Sequence, residues 1–240
     1  ADLGGLAVRT DGTGKINLDG DVTVDDVSGN STSVLLAGNV EINGVRTITT
    51  QVGDNNNAAA VDLSGATVSA TAATDDLTLN TSVGAGGSDA GNVDLGVFSN
   101  GSSAQYVNEV SVNATSSAGT AGNLTLAGDI DLDYDGAANA GSFTLLGGGE
   151  VIVAADSSID TEQGAANDGG AIYLGAGSVS GSAVDNTLVL DATGNGTGGA
   201  ITFGAVTNTA GAYLARFSAA TEGTGEISLV NNISTDDTNE

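Results

Sequence analysis

One short unit returns along the whole chain, and it limits what the chain can become more than any other feature. A small turn containing Gly is followed by an alternating strand and then, in most copies, by another Gly or Asn. The copies run GTGKINLDGDV at 12–22, AGNVEINGV at 37–45, AAVDLSGATV at 59–68, AGNVDLGVF at 90–98 and AGNLTLAGDI at 121–130. They continue with AGSFTLLGGG at 140–149, GGAIYLGAGSV at 169–179, GGAITFGAV at 198–206 and GTGEISLVNNI at 223–233. Their strands begin at Ile16, Val40, Val61, Val93, Leu124, Phe143, Ile172, Ile201 and Ile227, at intervals of 24, 21, 32, 31, 19, 29, 29 and 26 residues. Self-similarity at such a period is the signature of a solenoid, in which each repeat can bury its apolar face only against its neighbours.

Further strand-like segments lie between these units: SVLLA at 33–37, DLTLN at 76–80, EVSVNA at 109–114, EVIVAA at 150–155, TLVLDA at 187–192 and YLARFSA at 213–219. Each alternates with a period of two. Leu188 and Leu190 face one way while Thr187, Val189 and Asp191 face the other. No stretch repeats apolar residues at helical spacing, so the sequence predicts almost no helix. It also has no linker or composition break, and residues 1–240 read as a single elongated domain, complete or a length of a longer array.

Two all-β architectures fit this pattern. In a parallel β-helix, or β-solenoid, about nine to twelve coils stacked ~4.8 Å apart would make a rod roughly 40–60 Å long. The alternative is a set of antiparallel β-sandwich modules built from hairpins, for which Asn43-Gly44, Asn100-Gly101 and Asn195-Gly196 are candidate turns. Most connections are longer and vary in length, which favours the solenoid. The composition agrees: 38 glycines for turning, no proline to interrupt a ladder, and a core of small and branched aliphatics with only 3% aromatic residues.

Charge removes several functions. The net charge is −26, with only Arg9, Lys15, Arg46 and Arg216 positive. Binding nucleic acid requires many phosphates to be neutralised, so no nucleic-acid partner is expected, and docking to anionic membranes is disfavoured in the same way. No apolar run is long enough to span a membrane. The absence of Cys and His excludes disulfides, thiolate chemistry and Ser-His-Asp or Cys-His catalysis. Two carboxylates are sufficient for glycoside hydrolysis. However, sugar-cleaving sites usually stack sugars on aromatics, and here only Tyr106, Tyr134, Tyr173 and Tyr213 are available, without Trp. Arg216 is the one candidate for a lyase-type base, beside the plainer reading of an outward strand residue paired with an acid. No catalytic residue is assigned.

The sharpest local motif is GDIDLDYDG at 128–136. Asp131, Asp133 and Asp135 followed by Gly136 open a D-x-D-x-D-G calcium loop, and Asp129 extends the alternation of oxygen ligands. These four aspartates are the candidate ligands for Ca2+. The twelfth position of the loop is Ser142 rather than Glu, so the competing reading is a strand with Ile130, Leu132 and Tyr134 inward and an acidic outer face. The acidic pairs Asp25/Asp26, Asp75/Asp76 and Asp236/Asp237 read as turn caps. Seven N-x-[ST] sequons occur, at Asn30, Asn80, Asn100, Asn113, Asn123, Asn195 and Asn232. Thr-x-Thr rows of the kind used by ice-binding solenoids are not evident in register.

The units at 121–132 (AGNLTLAGDIDL), 187–206 (TLVLDATGNGTGGAITFGAV) and 217–229 (FSAATEGTGEISL) resemble the repeats of filamentous haemagglutinin-type exoproteins, the giant bacterial adhesins and related β-strand-repeat surface proteins. The resemblance covers most of the chain from about residue 30. It implies a right-handed parallel β-helix, secreted or extended from a cell surface. The expected function is an extracellular structural or adhesive rod rather than an enzyme. The alternatives are a self-assembling extracellular filament or surface-layer subunit stabilised by calcium, and a carbohydrate-active β-helix. The expected partners are the chain itself, by end-to-end stacking or through neighbouring repeats, and host or matrix carbohydrate or protein.

Overall fold

The structure is a computed structural model that describes residues 5–25, 33–52, 56–84, 88–99, 105–132, 141–162, 168–183, 185–194, 196–207 and 212–234. Coil by coil, the strands are β1 (Leu6–Arg9), β2 (Lys15–Leu18) and β3 (Val22–Thr23), then β4 (Val34–Ile42) and β5 (Arg46–Thr49), then β6 (Val61–Ala70) and β7 (Asp76–Asn80). Next come β8 (Val93–Phe98) and β9 (Glu109–Asn113), then β10 (Leu124–Leu126), β11 (Ile130–Asp131) and β12 (Ser142–Leu146). The last three coils hold β13 (Val151–Val153), β14 (Ser157–Asp160) and β15 (Ile172–Tyr173); β16 (Val179–Gly181), β17 (Asn186–Ala192) and β18 (Ile201–Phe203); and β19 (Leu214–Thr221) with β20 (Ile227–Leu229). There is no helix among the described residues.

The strands form two sheets. The first has the path β1-β4-β6-β8-β11-β14-β17-β19, with β2, β10, β13 and β16 alongside, and the second has the order β3-β5-β7-β9-β12-β15-β18-β20. Strand pairs join residues one coil apart and are parallel, as in Val34↔Val61 and Val110↔Phe143. The fold is therefore a parallel β-solenoid, and the antiparallel sandwich is excluded. Asn43-Gly44, a candidate hairpin turn, instead joins β4 to β5 in different sheets, with Gly44 at φ 81°. Among the described residues each path holds eight strands, a stack about 34 Å high from the first strand to the last.

The inward side chains line up in columns. One runs through Leu6, Val34, Val61, Val93, Leu124, Val151, Val179, Val206 and Ile233, with each residue paired to the next. Another passes through Ile16, Val40, Val68, Phe98, Ile130, Ile159, Leu190 and Ala219. The second sheet contributes Leu77, Val110, Phe143, Ile172, Ile201 and Ile227. Residues in the middle of these columns are fully buried, and each large one contributes about 1.5–3 kcal/mol by leaving water. Alternation in β17 follows the sequence reading, with Leu188 and Leu190 buried and Thr187, Val189 and Asp191 partly exposed.

A glycine column explains the recurrent turn. Gly91, Gly122, Gly149, Gly177 and Gly204 each stand two residues before a member of the first inward column. A Cβ on Gly122 would lie 2.0 Å from the carbonyl oxygen of Gly91, and one on Gly149 would lie 1.9 Å from that of Gly122. Coils approach too closely there for any side chain. The second sheet is entered in the same way: a Cβ on Gly199 would meet the Gly170 carbonyl at 1.9 Å.

Candidate functional site

Corners are where a solenoid loses ladder partners, and a backbone N–H left unpaired there is costly. Here Asp and Asn side chains stand in for the missing carbonyls. Asp21 accepts from the N–H of Thr47 at 2.9 Å, Asp25 from Val52 at 3.1 Å, Asn57 from Asp89 at 2.9 Å and Asp89 from Thr120 at 2.8 Å. Asn92 accepts from Asn123 at 2.9 Å, Asn123 from Glu150 at 3.0 Å, Asp129 from Ser158 at 2.9 Å and Asp156 from Thr187 at 2.9 Å. In all eight bonds the acceptor belongs to one coil and the donor to the next.

A second corner device is local. Asp62, Asn80, Asn113 and Asp191 each accept both the N–H and the hydroxyl of the Ser or Thr two residues on, with the hydroxyl bonds at 2.7, 2.6, 2.9 and 2.7 Å. The sequons at Asn80 and Asn113 are thus Asx turns whose Ser and Thr hydroxyls are already engaged. Asn123 belongs to the inter-coil series, Asn232 is exposed, and Asn30, Asn100 and Asn195 lie outside the described residues. Asp75 is buried as a turn acceptor for Thr71 and Ala72, and Asp76 accepts from the Asn108 amide. Buried Thr50, Thr81 and Thr161 close further corners through hydroxyl bonds to the carbonyls of Ala59, Gly91 and Gly170.

Of the four candidate calcium ligands, Asp129 and Asp131 are described, while Asp133 and Asp135 lie outside the described residues. Oδ1 of Asp129 accepts from both the N–H and the hydroxyl of Ser158. Asp131 stands on the outer face of β11, between buried Ile130 and Leu132, as the strand reading expects. In register it is followed by Asp160 and then Asp191, one aspartate per coil. Among the described residues, no three Asp or Glu side chains are grouped so as to hold a metal ion.

The outer face of the second sheet has a different chemistry. Thr47, Thr78, Ser111, Thr144, Tyr173, Thr202 and Ser228 form one continuous register column. Hydroxyl residues therefore repeat in register as a single row, whereas Thr-x-Thr pairs do not, in line with the sequence expectation. None of these seven hydroxyls is bonded to another described residue. The adjacent column holds Thr49, Asn80, Asn113 and Leu146, and the column at the strand starts holds Asp76, Glu109 and Ser142. Tyr173 projects outward, 40% exposed. Sequence reasoning missed this row because it searched for Thr-x-Thr within strands, whereas the repetition runs from coil to coil.

Elsewhere, Arg216 lies exposed on β19 near its register partner Thr187 and has no ion-pair partner among the described residues, contrary to the expectation that it pairs with an acid. Among the described residues an ion pair joins Lys15 of β2 to Glu41 of β4, in the first two coils. An open cleft of about 170 Å³ is lined by Lys15, Asn39, Thr67, Ser69, Ser99 and Gln105. Tyr106 is buried, and Tyr134 lies outside the described residues.

Fold and corners together define a parallel β-solenoid held by aliphatic columns and Asx acceptors. Comparison with known protein families, with curated proteins and with solved structures finds no match.

Proposed function

We propose that this chain is a structural or adhesive rod, secreted or displayed at a cell surface, with no catalytic role of its own. The observation carrying the reading is the inward column that runs unbroken from Leu6 to Ile233. A molecule in which every coil repeats its neighbour has length and surface as its products rather than a convergent pocket. The repeats' resemblance to filamentous haemagglutinin-type exoproteins and the strongly acidic, cysteine-free composition support the same reading. The test is fractionation of the source cells with an antibody to the chain. Recovery in the medium or in surface-shaved material is expected, and recovery confined to the cytosol would overturn the proposal.

A second reading, a self-assembling filament, is favoured by the last coil. Ile227, Leu229, Val230 and Ile233 are 44–51% exposed, and Ile227 and Ile233 continue columns that are buried further up. Exposed apolar columns, with no further strand paired to β19 or β20 among the described residues, suit addition of another coil. Sedimentation velocity with and without added calcium tests it: growth of large species with concentration supports the filament, and a constant monomer counts against it.

A further inference from the structure

We infer that the outer face of the second sheet is a binding surface for a neutral, β-linked polysaccharide lying along the solenoid axis. Three observations carry this. First, the hydroxyl column gives one donor-acceptor group per coil over six intervals, about 29 Å, at a spacing near the rise per sugar of an extended polysaccharide. Second, these hydroxyls are unused within the protein among the described residues, whereas the corner hydroxyls of Ser64, Ser82, Thr115 and Thr193 are all engaged. A hydroxyl both donates and accepts, which matches the mixed demand of sugar hydroxyls. Beside the row, Asn80 and Asn113 spend their carbonyl oxygens in Asx turns, leaving the amide N–H groups without a partner among the described residues. Third, the row itself is uncharged in a chain of net charge −26, and Tyr173 supplies an exposed ring on which a sugar can stack.

Charge selects among occupants. An anionic polysaccharide or a second copy of this chain would approach against a strong like-signed field. An ice surface needs a two-dimensional match, and the neighbouring column changes from Thr49 to Asn80, Asn113 and Leu146.

This inference rests on the adhesive reading above. The experiment is calorimetric titration of the full chain with cellohexaose, xylohexaose and chitohexaose, alongside retention on the corresponding insoluble polymers. Binding of at least one is expected. The double variant Thr78→Asp/Thr144→Asp should weaken it by about tenfold or more, because each new carboxylate must be desolvated against the ligand. Tyr173→Ala should weaken it by roughly fivefold, and Asp160→Asn/Asp191→Asn on the other sheet should leave it unchanged. Should the aspartate variant fail to fold, judged by its melting curve, Thr78→Val/Thr144→Val removes the hydroxyls without adding charge. Absence of binding to all three sugars, or binding indifferent to the second-sheet variants, would overturn the inference. So would ice shaping, or dimerisation, that those variants abolish in place of sugar binding. A chain recovered from the cell surface that ignores all three sugars sinks this inference alone, whereas cytosolic recovery sinks the adhesive reading.

Discussion

On the outer face of the first sheet, Asp131, Asp160 and Asp191 stand in line, one per coil, and Asp62 pairs with Asp94 in the same way. At matching positions on the second sheet stand Thr78, Ser111 and Thr144. Inside, the two sheets are alike: Phe98 between Val68 and Ile130 on one, Phe143 between Val110 and Ile172 on the other. The inward half of each strand is committed to the core and the outward half is free to differ. Carboxylates about 4.8 Å apart repel, and the first sheet tolerates them partly because they also serve as acceptors. Asp160 takes the N–H of Glu162, and Asp191 takes both the N–H and the hydroxyl of Thr193. On the second sheet the hydroxyls of the outward row bond to no other described residue.

The likeness inside is the first thing to break. Phe98→Ala and Phe143→Ala should each cost about 3–5 kcal/mol in urea unfolding. A large cost in one alone would mean that the sheets do not share a core. Next come the corners. Asn123→Ala should cost about 1 kcal/mol by stranding the N–H of Glu150, while Asn123→Asp keeps an acceptor and recovers most of the loss. The difference outside is sharpened by two smaller effects. Asp160→Asn, in the middle of the aspartate row, should stabilise by about 0.2–1 kcal/mol at low salt and by nothing at 1 M salt, where screening has removed the repulsion. Thr144→Val should change stability by less than about 0.5 kcal/mol, since its hydroxyl is not bonded within the protein among the described residues. A loss well above that would show the second face to be structural after all.

The strand grammar, the near absence of helix and the solenoid were legible in the sequence because alternation and glycine spacing are one-dimensional signals. The register was only half legible. Intervals such as Val61 to Val93, Val93 to Leu124 and Ile172 to Ile201 are true coil lengths. The two shortest, 21 and 19, arise where the reading stepped across the structure: Val40 pairs with Val68 rather than Val61, and Leu124 with Val151 rather than Phe143. Both sheets are entered through the same Gly-x-apolar turn, as in Gly122–Leu124 and Gly199–Ile201, so the local sequence does not say which sheet a unit belongs to. The hydroxyl row depends on that registration and stayed hidden with it. The calcium motif was conspicuous in the sequence for a different reason: alternation on an acidic outer face produces D-x-D whether or not a cation is bound.

The Asx bonds between coils carry an arrow in time. Each acceptor precedes its donor by 26 to 32 residues, from Asp21 and Thr47 near one end to Asp156 and Thr187 near the other. A ribosome or an export channel delivering the chain from its N-terminus therefore completes every acceptor before the group that will seek it. The side chains left facing forward by one coil specify where the next must turn, and the molecule can be laid down in the order in which it is read.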